Sequence, residues 1–400
     1  MNKQTQDYIR VHRDADVRQL ALKGAPDNVD LAFALDQISG RQKSRVKLPS
    51  WASVEGILYP PHLSMEQCSS EATARYKALL ADRLLSRIGD SQRSMVDLTG
   101  GFGVDFSFLA AGFEEAVYVE RQEHLCDIAR SNFARLGLGQ ARVVCGDAAD
   151  YLAAMDPVSL IFVDPARRDA RGGRTFAIAD CTPNVAALGR QLMDKARLVV
   201  VKLSPMLDWR KAVADMGEGV GEVHIVSVDG ECKELVIVMS EAFHGVERLY
   251  CVNGDDVLEC GLTESWPQTM GAPVSIDLLS HDGMWLYEPN ASVMKAGCFG
   301  WVERHFGVAQ IDGNSHLFVS DHEVRDFPGR RFQIERVTTM NKKALRCAMA
   351  DIVQANITVR NFPVSVAELR RRLKISEGGS KYIFATTLTD KTHLLLICRK

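Results

Sequence analysis

Five ionisable side chains in this sequence come at or just after short apolar runs, where they could bind a nucleotide or assist a proton transfer. They are the carboxylates of Asp97, Glu120, Asp147 and Asp164 and the amine of Lys202. A carboxylate accepts hydrogen bonds from ribose hydroxyls or from an amino group of a base. The spacing therefore indicates a ligand crevice that is built from several strand ends.

The first of these acids begins a glycine-rich stretch. Gly100, Gly101 and Gly103 follow Asp97 and precede a helix-like segment. Glycine lets the backbone approach a ligand without a Cβ between them, and the N–H groups at a helix start attract anionic groups. By itself such a stretch is also compatible with a tight turn that binds nothing.

The elements that must position these side chains alternate along the chain. Segments of about 10–30 residues separate the apolar runs, which predicts a parallel sheet with crossover helices. A turn at Asp229-Gly230-Glu231 joins two further strands into an antiparallel hairpin at the edge of the sheet. The predicted strands are 95–98, 116–119, 142–145, 160–163, 198–202, 223–228 and 234–239.

Residues 94–240 resemble the class I S-adenosylmethionine (SAM)-dependent methyltransferases. The strand-one loop of that family matches Asp97, Gly101 and Gly103, and the motif after its strand four matches Asp164-Pro165. The resemblance implies a Rossmann-like seven-stranded sheet with SAM as cofactor. The cofactor contacts that it implies are Asp97, Thr99, Gly101, Gly103, Glu120 (ribose), Asp147 and Ala148 (adenine), and Asp164.

A dinucleotide-dependent oxidoreductase is the competing interpretation of the loop. Its fingerprint needs a third glycine or an alanine where this chain has Phe106. The acid after the third strand and the Asp-Pro pair are also not expected of that fold. These differences favour the methyltransferase interpretation.

The group that receives the methyl is not defined by the motif after strand four. Methyltransferases of base amines usually carry Pro and an aromatic residue after Asp-Pro, whereas this chain has Ala166 and Arg167. Some RNA pyrimidine-C5 methyltransferases have Asp-Pro-Pro-Arg but need a cysteine after strand five, where this chain has Lys202-Leu-Ser-Pro. We predict Asp164, Pro165, Arg167 and Lys202 as catalytic residues.

A basic loop follows Asp164-Pro165 and could clamp phosphate or could simply be solvated. Its members are Arg167, Arg168, Arg171 and Arg174.

Segment 66–77 and Cys181 could also belong to the predicted active site, and each has two interpretations. The polar segment 66–77 either covers the SAM pocket or is an N-capped amphipathic helix. Cys181 is either a neighbour of the active site or a buried structural thiol.

The C-terminal part of the chain is basic. Residues 321–400 carry about +8, so the remainder is near −11, and this asymmetry suggests a polyanionic partner. The stretch resembles the THUMP-like domain of some bacterial methyltransferases, which implies an RNA substrate such as tRNA or rRNA. A predicted positive face, which could equally be a solvated helix face, comprises Arg370, Arg371, Arg372, Lys374 and Lys381.

We divide the chain into four predicted regions. They are an N-terminal helical region (1–90), the methyltransferase core (91–243), a ferredoxin-like α+β module (244–323) and a THUMP-like domain (324–400). The third region is predicted to contain strands 274–278 and 317–319 and a helix at 293–306. The predicted elements of the fourth region are strands 332–337, 355–360, 382–387 and 394–398 and helices 342–352 and 364–373. The ten cysteines form no C-x-x-C pair, so we predict neither a metal site nor a disulfide framework. The absence of long apolar runs and of an apolar N-terminal signal predicts a cytoplasmic protein without membrane contact.

Three functions remain open at this stage. The first is SAM-dependent methylation of RNA. The second is RNA binding by a chain whose core binds SAM without catalysis, which the missing Pro-aromatic pair motivates. The third is methylation of a protein or a small molecule.

Overall fold

The computed structural model describes residues 2–90, 93–167, 178–261 and 274–400. The chain forms two compact units. The first comprises residues 1–228 with 233–247, and the second comprises residues 229–232 with 248–400.

The first unit begins with six helices, in the region that the sequence predicts to be helical. Four of them start at side chains that accept a backbone N–H, namely Asn2, Asp16, Asp30 and Ser70. The helices are α1 (Lys3–His12), α2 (Val17–Lys23), α3 (Leu31–Lys47), α4 (Pro49–Ala52), α5 (His62–Gln67) and α6 (Glu71–Arg87).

The strands and helices then alternate. The strands of this unit are β1 (Ser94–Asp97), β2 (Glu115–Glu120), β3 (Ala141–Cys145), β4 (Val158–Val163), β5 (Ala166–Arg167), β6 (Cys181–Thr182), β7 (Ala196–Leu203), β8 (Val220–Val228) and β9 (Glu231–Met239). The helices are α7 (Val104–Ala110), α8 (Glu123–Arg135), α9 (Ala148–Ala154), α10 (Val185–Lys195) and α11 (Trp209–Met216).

Seven of these strands confirm the predicted Rossmann-like methyltransferase sheet. Their order is β3-β2-β1-β4-β7-β9-β8. The first five run parallel, and β9 pairs antiparallel with β7. Asp229 and Gly230 both have positive φ, as the tight turn between β8 and β9 requires. Because parallel strands end at the same edge of a sheet, the five chemically active side chains of the sequence converge there.

An aromatic cluster supports the loop between β1 and α7. Phe106 is fully buried, and its ring centroid lies 5.6 Å from that of Tyr118 and 4.8 Å from that of Phe133. The ring therefore fills the space that a dinucleotide fold keeps open with a small residue.

The second unit contains a hairpin and a larger sheet. Its strands are β10 (Arg248–Asn253), β11 (Asp256–Gly261), β12 (Trp285–Pro289), β13 (Ala309–Gln310), β14 (Phe318–Ser320), β15 (Gly329–Thr339), β16 (Asn356–Val359), β17 (Lys381–Thr387) and β18 (His393–Arg399). Its helices are α12 (Ile276–Leu279), α13 (Ala291–Ala296), α14 (Phe299–Phe306), α15 (Lys342–Ala348) and α16 (Val366–Leu373). The predicted elements from residue 332 onward are present with small shifts of their ends.

Two predictions in the middle of the chain need correction. The predicted strand 274–278 is wrong, because the Ser275 hydroxyl accepts the N–H of Leu278 and starts the short helix α12 instead. The predicted helix 293–306 is two helices, because Gly297 adopts φ +63° and ends α13 before α14 begins.

One seven-stranded sheet, in the order β13-β14-β12-β15-β18-β17-β16, crosses the boundary predicted at residues 323/324. On β18, Leu394 and Leu396 face one buried cluster, whereas Leu395 and Ile397 face another. Helices α15 and α16 both pack on the second face, through Leu345 and Leu369. Because successive residues of β18 face different clusters, packed side chains cover this sheet on both sides.

None of the helices in the described ranges combines the length and the apolar character that crossing a membrane requires.

Candidate active site

A cavity of about 670 Å³ lies at the carboxyl ends of β1, β2, β3, β4 and β7. This volume is within the range of small-molecule and cofactor pockets. The predicted cofactor residues line it, together with residues of segment 66–77 and Cys181, for which the sequence left two interpretations. The second group includes Gln67, Cys68 and Ser69, just before α6, and Cys181 on β6. Segment 66–77 thus both borders the cavity and forms a capped helix, and Cys181 is a buried thiol that borders the cavity as well.

Asp97 and Thr99 fix the first turn of the loop. Asp97 is buried, and its Oδ1 accepts the backbone N–H of Thr99 at 2.9 Å. The Thr99 hydroxyl in turn accepts the N–H of Asp164 at 2.6 Å and so joins the ends of β1 and β4. Burial and the nearby carboxylates of Asp105 and Asp164 raise the pKa of Asp97 well above its usual range, although the Thr99 N–H opposes this shift.

Gly101 and Gly103 both adopt positive φ, at +55° and +82°. A Cβ on Gly103 would lie 2.8 Å from the Phe133 ring, so packing excludes a side chain there. A Cβ on Gly101 would meet nothing closer than the Thr99 carbonyl oxygen at 3.7 Å. The space beside Gly101 is therefore free of protein and belongs to the cavity.

Glu120 holds the end of β2 against this loop. Its Oε2 accepts the N–H of Gly101 at 3.0 Å, and its Oε1 accepts the N–H of Gln122 at 2.9 Å. Each carboxylate oxygen has two acceptor positions, so both can accept another hydrogen bond.

Asp147 has a structural role that the sequence analysis missed. It is the N-cap of α9, and its Oδ1 accepts the N–H groups of Ala149 (2.8 Å) and Asp150 (3.4 Å). The pattern Asp-Ala-Ala-Asp before an apolar stretch was the signal for this cap. Both N–H groups bond to Oδ1, so Oδ2 of Asp147 is available to another partner. Asp147 and Ala148 also line the cavity.

Asp164 and Lys202, two of the predicted catalytic residues, form an ion pair. Lys202 Nζ is 2.5 Å from Asp164 Oδ2, and Lys202 is 8% exposed. Burial by itself would lower the pKa of Lys202, but the carboxylates of Asp164, Asp105 and Glu234 outweigh it and raise that pKa above its ordinary value. Lys202 is consequently a hydrogen-bond donor to Asp164 and its charge partner.

The remaining predicted residues of this motif differ in what the structure shows. Pro165 is buried and lines the cavity. The backbone of Arg167 lies in β5 and pairs with Cys181 on β6. The side chain of Arg167 and the whole of Arg168, Arg171 and Arg174 lie outside the described residues.

A buried charge network under the cavity was not predicted. Lys77 on α6 is 0% exposed and lies 3.1 Å from Asp105 Oδ1, and it also forms an ion pair with Glu234 on β9. The Ser69 hydroxyl contacts Asp105 Oδ2 at 2.7 Å and Glu234 Oε1 at 3.0 Å. Burial would raise the pKa of Glu234, but Lys77 and Lys202 lower it to about 2. The high polarity of segment 66–77 was the only sequence signal of this network.

Two family models match the C-terminal part of the chain. A family model described as THUMP domain-like matches residues 329–400, and one described as a ferredoxin-like domain matches residues 285–328. No curated protein matches the sequence significantly.

A solved structure from Porphyromonas gingivalis W83, provisionally assigned as a methyltransferase, aligns over nearly the whole length. The identity is 31% and the TM-score 0.83, with 99% of this chain and 97% of that chain covered. A SAM-dependent methyltransferase from Agrobacterium tumefaciens is 19% identical with a TM-score of 0.32, covering 43% of this chain and 63% of its own. An rRNA methylase from Streptococcus thermophilus is 12% identical with a TM-score of 0.31, covering 42% and 96% respectively. At these scores the last two comparisons carry no argument about activity.

Proposed function

Because the chain belongs to the class I SAM-dependent methyltransferase family with a C-terminal THUMP-like domain, we propose that it transfers a methyl group from SAM to RNA, such as tRNA or rRNA. The observation that supports this proposal most strongly is the convergence of five side chains on one cavity. They come from five separate strand ends and are Asp97, Glu120, Asp147, Asp164 and Lys202.

The residues present fit SAM. Glu120 keeps acceptor positions on both oxygens for the two ribose hydroxyls, and Asp147 with Ala148 borders the region where an adenine amino group would be bound. The protein-free space beside Gly101 accommodates the cofactor backbone. SAM supplies an electrophilic methyl group on a positively charged sulfonium. The acidic lining, with Asp105, Glu120 and Asp164 among its members, favours such a cation.

Asp164 and Lys202 would position the group that receives the methyl. Lys202 bonds to Oδ2 of Asp164 and fixes the carboxylate, while the Asp164 side chain remains 38% exposed. The exposed part can accept a hydrogen bond from an N–H or O–H of the acceptor group, which directs the acceptor lone pair toward the cavity. Pro165 limits the motion of the backbone behind Asp164.

RNA as the substrate is supported by the charges of the second unit. Arg370 donates to the Ala355 carbonyl at 3.0 Å, and Arg372 and Lys381 form ion pairs with Glu368 and Glu335. Arg371 and Lys374 are exposed. Helix α15, which lies on the same face of the sheet as α16, adds three exposed cations that the sequence analysis did not single out: Lys342, Lys343 and Arg346. Exposed lysine and arginine side chains of this kind suit contacts with a phosphate backbone.

The test is transfer of label from tritiated SAM to RNA isolated from cells that lack the gene. We expect label in an RNA fraction and one modified nucleoside by mass spectrometry. We expect neither with the double variant Asp164→Asn, Lys202→Met. A protein that binds S-adenosylhomocysteine but labels no RNA would refute RNA methylation. Label in protein or in small molecules under the same conditions would identify the other substrate classes. Failure to bind either SAM or S-adenosylhomocysteine in calorimetry would refute the cofactor assignment itself.

A further inference from the structure

Three cysteines of the second unit meet in its interior. Cys251 lies on β10, Cys260 on β11, and Cys298 directly precedes α14; each is at most 1% exposed. Their three Sγ atoms all lie within 4.8 Å of one another, and those of Cys260 and Cys298 are 4.0 Å apart. None of the three lines the cavity of the first unit.

The fold brings these residues together by strand register and one helix break. Cys251 lies opposite Leu258 and Cys260 opposite Leu249, so the two cysteines are diagonal neighbours on the same face of the hairpin. Helix α13 packs against β10. Because Gly297 ends α13 with φ +63°, Cys298 follows close to that face.

We propose that Cys251, Cys260 and Cys298 bind a thiophilic metal ion, and that Zn²⁺ is the ion they bind. A Zn–S bond of about 2.3 Å in tetrahedral geometry places two sulfurs about 3.8 Å apart, close to the spacing between Cys260 and Cys298. The Sγ of Cys251 lies within 4.8 Å of the other two, so a shift of about 1 Å or less would bring it to the same distance. Three thiolates are soft ligands, which favour Zn²⁺ or Cu⁺ over Mg²⁺ or Ca²⁺.

Charge favours Zn²⁺ over Cu⁺. Three thiolates with a divalent ion leave one net negative charge in a buried site, whereas a monovalent ion leaves two, and buried net charge is costly. Cys298 is also the N-cap residue of the eight-residue helix α14, whose N-terminal dipole stabilises a thiolate. Among the residues that the structure describes, no His, Asp or Glu atom completes the group. The fourth position of Zn²⁺ is therefore left to water or to a backbone carbonyl.

The site would be structural, because it connects the β10–β11 hairpin to the α13–α14 segment. It departs from the sequence-based prediction of no metal, which relied on the absence of a C-x-x-C pair. The ligands lie 9 and 38 residues apart along the chain, and no local motif indicates such a spacing.

The test uses the full-length chain, purified under reducing conditions in metal-depleted buffer and reconstituted with Zn²⁺, Co²⁺ or Cu⁺ in separate arms. We expect about one Zn²⁺ per chain by mass spectrometry of the elements, and thiolate-to-cobalt charge-transfer bands in the near ultraviolet. Replacing all three cysteines by serine should lower bound Zn²⁺ to below about a tenth of an ion per chain. Cys398→Ser is the matched control, since Cys398 is a buried cysteine of the same unit outside the trio, and it should keep full Zn²⁺ binding.

Several outcomes would overturn the proposal. Wild-type protein that holds no Zn²⁺ after reconstitution would show that the trio packs only as apolar thiols. Stoichiometric Cu⁺ without Zn²⁺ would refute the identity of the ion. If the triple variant fails to fold, the cobalt spectrum of the wild type still decides, because a spectrum without thiolate bands contradicts the site. None of these results bears on methyl transfer.

Discussion

Lys77 on α6 and Glu234 on β9 form an ion pair that is closed to solvent, with side chains 0% and 4% exposed. The two residues are 157 positions apart in the chain. The pair therefore links the N-terminal helical region to the methyltransferase sheet directly below the cavity, and Asp105 of the nucleotide loop shares the same ammonium group.

Lys77→Met should destabilise the first unit strongly. It leaves the carboxylates of Asp105 and Glu234 buried with one partner fewer, a change that typically costs about 3–5 kcal/mol. The measurement is urea unfolding followed by circular dichroism. The control Lys43→Met removes an ion pair with the exposed Glu66 and should cost below about 1 kcal/mol. Equal stability of the two variants would contradict the role of the buried network.

The acid stability of the protein should depend on Glu234. The pKa of Glu234 is lowered to about 2 in the folded chain. Its stabilising contribution is thus fully present above its ordinary pKa, near 4.5, and is lost as the pH falls toward 2. Between pH 5 and pH 3 the wild type should lose roughly 2 kcal/mol more than Glu234→Gln, because the amide does not titrate. Parallel curves of unfolding free energy against pH would contradict this prediction.

Glu120→Ala should weaken cofactor binding. The substitution removes the acceptor for the Gly101 and Gln122 N–H groups and the proposed ribose contact. We expect the Kd for S-adenosylhomocysteine in calorimetry to rise about 10- to 100-fold. Glu115→Ala, an exposed change at the other end of β2, is the matched control and should leave the Kd unchanged. Identical affinities of the two variants would exclude Glu120 from the cofactor site.

Lys202→Met should reduce methyl transfer while leaving the cofactor bound. Without the ammonium group of Lys202, the Asp164 carboxylate loses its fixed orientation, so the single-turnover rate should fall about 10²-fold or more. The Kd for SAM should change by less than about threefold. Because the pKa of Lys202 lies above its ordinary value, the rate of the wild type should show no limb from this lysine between about pH 6 and pH 9. Lys202→Arg should recover part of the rate, whereas Lys211→Met, on the exposed face of α11, should have no effect. A full rate in Lys202→Met would remove this residue from the site.

The salt dependence of RNA binding should identify the basic surface. Replacing Lys342, Lys343 and Arg346 by alanine should reduce the slope of log K against log salt by up to about 0.7 for each lost phosphate contact. The exposed Lys3 and Lys23 of the first unit serve as a control pair whose replacement should leave the slope unchanged. If neither set of replacements changes the slope, α15 does not contact the RNA.

The sheet and its strand ends were predictable because each strand carries a local signal. Asp97, Glu120, Asp147 and Asp164 follow apolar runs directly, so topology alone brings them to one edge. The caps of α9 and α12 were also present in the sequence. Asp147 was assigned to the adenine contact instead, and the apolar neighbours of Ser275 led to the prediction of a strand.

Contacts between distant segments could not be predicted in the same way. Lys77 meets Glu234, and Cys251 meets Cys298, only because of helix packing and strand register that no short window encodes. The same holds for Arg370, which donates to the carbonyl of Ala355, a residue 15 positions away in the chain.

The seven-stranded sheet of the second unit contains strands from both matched families, the ferredoxin-like one and the THUMP domain-like one. The family boundary at residues 328/329 falls between β12 and β15, which pair along five positions. Half of the fourteen buried residues that share one core cluster come from each side of this boundary. A chain truncated there would expose the backbone edge of β12 and lose half of that core, which invites aggregation. The two families are therefore separate in sequence but share one sheet and one core, and we expect neither to fold stably without the other.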